Sequence, residues 1–65
     1  MTGAELSVLR MIVGGMSGRE IAFALDISET MVDGYANALF DKLGVADRTA
    51  AAAVAVKRGL VKTEL

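Results

Sequence analysis

Residues that start helices alternate with residues that stop them along this whole chain, and they divide it into pieces that can only be short, packed helices. Thr2 with Glu5 and Ser17 with Glu20 have the Ser/Thr-x-x-Glu spacing of a capping box. In that motif the hydroxyl accepts from an amide inside the helix and the glutamate accepts from the amide of the cap. Ser28 and Asp47 stand where two further helices need their N-caps. Gly14-Gly15, Gly44 and Gly59 follow three of the apolar patterns, and Asp26-Ile27 turns the chain after the other. Helices are therefore expected over about 3–13, 17–25, 28–43 and 48–58. Each has an inner stripe. Val8, Leu9, Ile12 and Val13 share a face of the first, and Ile21, Ala22 and Leu25 a face of the second. In the third, Val32, Ala36, Leu39 and Leu43 recur at steps of four, three and four, the mark of an amphipathic helix. The fourth is rich in alanine, with Lys57 and Arg58 at its electronegative end. No alternating strand pattern, repeat or linker interrupts the series, so one all-α domain over 1–65 is expected.

Composition excludes more than it offers. The 65 residues include no Cys, His, Trp or Pro. No disulfide, zinc site or imidazole base is available, and no cofactor is expected. Gly14, Gly15 and Gly18 do not form a phosphate loop, since no strand precedes them and no Gly-Lys-Ser/Thr follows. Ser7, Ser17 and Ser28 have no histidine to activate them, and two of the three are explained as caps, so catalysis is not expected. The longest apolar run, from Ala50 to Val56, falls far short of the ~20 residues that cross a bilayer. No signal peptide is visible, so a cytoplasmic chain with no membrane partner is expected. Two values qualify any nucleic-acid reading. The net charge is -1, and 54% of the residues are apolar. Phosphate binding favours a basic domain, and a chain this small cannot hide so much apolar surface alone.

Order and spacing add a family. The chain reads Gly15, Met16, Ser17, then Glu20-Ile21-Ala22, Leu25, Ile27-Ser28, Val32, Lys42-Leu43-Gly44-Val45 and Asp47-Arg48. This resembles the helix-turn-helix domain of LuxR-type bacterial transcription regulators, over roughly 2–61. The resemblance implies four helices, the second and third forming the helix-turn-helix and the fourth commonly pairing two domains. It also implies that the third helix lies in the DNA major groove, which at ~12 Å wide admits one helix. At that face the chain departs from the family, which usually has threonine at the position of Met31, lysine at Asp33 and histidine at Tyr35.

The expected function is that of a small bacterial transcription regulator whose main partner is double-stranded DNA. Thr30, Met31, Asp33, Gly34 and Asn37 would face bases, while Arg19, Lys42 and Arg48 would hold phosphates. Between Ser28 and Leu43 one base, Lys42, stands against Glu29, Asp33 and Asp41, and 1 - 3 leaves -2. Asp33 suits a cytosine amino group, and Asn37 suits adenine. The alternative is a degenerate helix-turn-helix with little DNA affinity, acting as an anti-activator or co-regulator. It would dock on another transcription regulator or a polymerase subunit through Phe23, Met31, Gly34 and Ala38, ringed by Asp26, Glu29 and Asp33. Phe23 would otherwise be covered by the tail, 60–65. In either case Ala51, Ala52, Ala55 and Val56 are expected to form a homodimer helix. The domain is expected to stand alone, without an attached sensor or receiver.

Overall fold

The structure, a computed structural model, describes residues 1–61; Lys62 and the rest of the expected tail lie outside the described residues. It contains helices α1 (Gly3–Val13), α2 (Gly18–Leu25), α3 (Glu29–Leu43) and α4 (Arg48–Lys57), and among the described residues no strand. Ser17, Ser28 and Arg58, expected as helix ends, are caps just outside them. Both capping boxes are formed. Thr2 Oγ1 accepts from the Glu5 amide at 3.2 Å, and Ser17 Oγ from the Glu20 amide at 3.1 Å. Ser28 Oγ and Asp47 Oδ1 likewise accept from Met31 and Ala50.

All four helices end the same way. Within two residues of each end stands a left-handed residue: Gly15, Asp26, Gly44 and Gly59, with φ of 82°, 56°, 71° and 70°. The next amide then reaches back five residues into the helix. Met16 donates to Met11, Ile27 to Ala22, Val45 to Phe40 and Leu60 to Ala55, at 2.9–3.0 Å. This is the Schellman arrangement, which satisfies carbonyls that a helix end would otherwise leave bare. Among the described residues Asp26 is the one with a Cβ that occupies this region, a conformation costing an L-residue about 1–2 kcal/mol.

The central element is α3. It packs against α1, α2 and α4, and α1 also packs against α4. The core comprises Val8, Leu9 and Ile12 of α1, Ile21 and Ala22 of α2, the whole stripe Val32, Ala36, Leu39 and Leu43 of α3, Ala51 and Ala55 of α4, and Val61. Val13 and Leu25, expected inside, are only partly buried against it. Ala51 and Ala55 correct an expectation: both are 0% exposed, so they face α1 and α3 and present nothing to a second copy. Their small size serves close approach of helices within the domain.

Candidate nucleic-acid interface

Because α3 buries Val32, Ala36, Leu39 and Leu43, its opposite side is bare. Thr30, Met31, Asp33, Gly34, Asn37 and Ala38 are all exposed. A Cβ added at Gly34 would meet nothing within 4 Å, so nothing within the domain requires glycine there. Asp33 and Asn37 lie one turn apart and line a shallow open groove with Ala36, Phe40, Ala46, Asp47 and Arg48. The groove joins the outward residues Asp33 and Asn37 of α3 to the start of α4. Phe40, its half-buried floor, carries no pattern signal, because it falls on neither the buried stripe nor its opposite.

Each cation expected at phosphates has a definite setting. Arg19 is exposed in the first turn of α2. Arg48, first residue of α4, donates from Nη1 to the Met16 carbonyl at 3.0 Å. Its Nη2 lies 3.8 Å from where a Gly18 Cβ would be. A guanidinium has five N–H donors, so Arg48 fastens the loop before α2 and keeps donors for a phosphate. Lys42 does not stand free. Its Nζ donates to Glu5 Oε1 at 2.7 Å, tying the end of α3 to α1. The lysine side chain remains 48% exposed, whereas that of Glu5 is 6% exposed. The Lys42 hydrogen bond, then the Thr2 amide and hydroxyl, hold the Glu5 carboxyl at about 2, well below its ordinary 4.5, against the opposing effect of burial. Its Oε2 is buried without a partner among the described residues. Sequence reasoning saw Glu5 only as half of a capping box.

The residues of the docking alternative are exposed and are carried by two helices. Phe23 is 90% exposed and shares a shallow depression on α2 with Met16, Arg19, Glu20 and Ala24. Met31, Gly34 and Ala38 stand on α3. On α4, Ala52 is half-buried and Val56 is 42% exposed, so only part of the expected dimer set faces outward.

Known proteins carry the same frame. The family described as bacterial regulatory proteins, luxR family, matches residues 1–55. The uncharacterized transcriptional regulatory protein YhcZ of Bacillus subtilis (strain 168) is 50% identical over 60 residues, covering 92% of this chain and 28% of that protein. The transcriptional regulatory protein DegU of Brevibacillus brevis is 39% identical over 62 residues, 95% of this chain and 26% of that one. The chain thus spans less than a third of these curated relatives. The transcription factor GerE superposes with a TM-score of 0.86 at 29% identity, over 95% of this chain and 92% of its own. The response regulator ChrA of a heme-sensing two-component system gives 0.87 at 36% identity, over 91% of this chain and 29% of its own. With four helices that superpose on GerE and a family match over residues 1–55, this chain belongs to the luxR family of bacterial regulatory proteins.

Proposed function

We propose that this domain is the DNA-binding module of a bacterial transcription regulator, a binding rather than a catalytic unit that acts in the cytoplasm. The observation that carries this reading is the bare outer side of α3, exposed at every position from Asp33 to Ala38 that does not turn towards the core, within a luxR-family frame. A helix so presented fits the major groove. Thr30, Met31, Asp33, Gly34 and Asn37 then face base edges, while Arg19 and the remaining donors of Arg48 take phosphates. Lys42 reaches a phosphate only while keeping Glu5.

Two copies fit this function better than one. The outward side of α4 and its exit, Ala52, Ala53, Val56 and Leu60, supports pairing across a narrow apolar strip, without the buried Ala51 and Ala55. Paired domains read two half-sites about one helical turn apart, which multiplies affinity that a chain of net charge -1 cannot draw from phosphates alone.

Fluorescence anisotropy with generic duplex DNA at ~50 mM and then ~200 mM salt tests the reading. Two phosphate contacts per chain give a salt slope of about -1.8, or a roughly tenfold loss of affinity across that range. Absence of binding at the lower salt would overturn it and would move attention to a protein partner.

A further inference from the structure

A G·C pair can be read in the major groove from either strand. Guanine presents two acceptors and calls for a donor, whereas cytosine presents its N4 amino group and calls for an acceptor. The outer side of α3 has no cation for guanine. From Glu29 to Asp41 it carries no Lys or Arg, and Lys42 is turned to Glu5. What it offers is Asp33, which is exposed and has no hydrogen bond or ion pair among the described residues. An ionised carboxylate only accepts. Asn37 follows one turn later in the same groove, and its amide both donates and accepts. Between them Gly34 has open space where a side chain would stand, so the helix is thin at the point where these two groups project.

Resting on the DNA-binding reading above, we propose that Asp33 selects cytosine by accepting from N4 and that Asn37 selects adenine at its N6/N7 edge. Four residues of helix rise about 6 Å, against ~3.4 Å per base pair, so the two bases lie one or two steps apart in each half-site. The carboxylate repels nearby phosphates whatever the base sequence, whereas its hydrogen bond forms only at cytosine. Asp33 therefore trades strength for selectivity.

The experiment is selection of the 65-residue chain on a randomised duplex library at low salt, followed by anisotropy titration of the enriched site and its single-base variants. The expected site has a fixed cytosine, and replacing it weakens binding at least about fivefold. Asp33→Ala abolishes that preference at that one position, keeps the adenine preference and raises affinity for random DNA. Asn37→Ala abolishes the adenine preference alone, and Asp33→Arg moves the first preference to guanine. Salt-dependent, site-selective binding whose cytosine discrimination survives Asp33→Ala would overturn the proposal and leave DNA binding standing. No binding at low salt would overturn both.

Discussion

Gly34 and Asp26 are the two residues whose backbone roles do not match their side chains, and they pull in opposite directions. Gly34 sits mid-helix at a site with open space around it. Replacing it by alanine removes backbone freedom from the unfolded chain, and Gly34→Ala should stabilise the domain by about 1 kcal/mol. For a domain of this size that is roughly a 4–8 °C rise in thermal midpoint, readable by circular dichroism. If DNA needs the thin helix, the same variant loses affinity while gaining stability, a combination that general destabilisation cannot produce. Asp26 is the reverse case, a residue with a Cβ held at φ 56° where the other three helix exits use glycine. Asp26→Gly should add about 0.5–1 kcal/mol, the left-handed penalty less the extra entropy of glycine in the unfolded chain. A fall in the melting midpoint would show that the Asp26 side chain contributes more than its backbone costs. The need for a turn at Asp26-Ile27 was legible in the sequence. That Asp26 itself would carry the positive φ was not, because aspartate suits caps, turns and left-handed exits alike.

Among the elements, legibility followed contrast. In α3 the buried stripe alternates with polar residues, so Val32, Ala36, Leu39 and Leu43 could be assigned in full and all four are in the core. In α4 nearly every position is small, and a pattern without contrast does not say which alanines face inward. Ala51 and Ala55 were accordingly expected outside and are buried. Ties between helices were illegible for another reason. Lys42 and Glu5 are 37 positions apart, and no local pattern joins them. That tie has a pH signature. The Glu5 carboxyl is held at about 2 in the fold and has an ordinary value of 4.5. Its contribution to stability is thus fully present above pH 4.5 and is lost as the pH falls from there towards 2. Glu20, lowered by the backbone and hydroxyl of Ser17, acts with the same sign. Thermal midpoints should fall on acidification through this window, and Glu5→Gln should lower the midpoint at pH 7 while flattening the acid limb. A Glu5→Gln profile parallel to the parent would show that the tie is not what acid breaks.

For the molecule as a whole, the proposed DNA binding depends on whether one domain or two meet the duplex. A chain with 54% apolar residues and a core limited to a few short stripes leaves apolar surface uncovered, and Met31, Phe23, Val56 and Leu60 are among its large exposed members. These divide by position. Met31 and Phe23 are on the helix-turn-helix, whereas Val56 and Leu60 are on α4 and its exit and do not line the groove of Asp33 and Asn37. A dimer built on the second pair leaves both copies of α3 free, so pairing and reading do not compete. Val56→Asp places a carboxylate in that strip without entering the core, because Val56 is 42% exposed. Sedimentation should then show the parent chain as a dimer at concentrations where the variant is a monomer, with the melting curve of the fold retained. On DNA the variant should lose most affinity for a duplex with two half-sites and little for a single half-site, since only the former binds both copies at once. Equal losses on both duplexes would place Val56 at the DNA instead. A parent chain that stays monomeric with and without DNA would leave α4 as an intramolecular support alone.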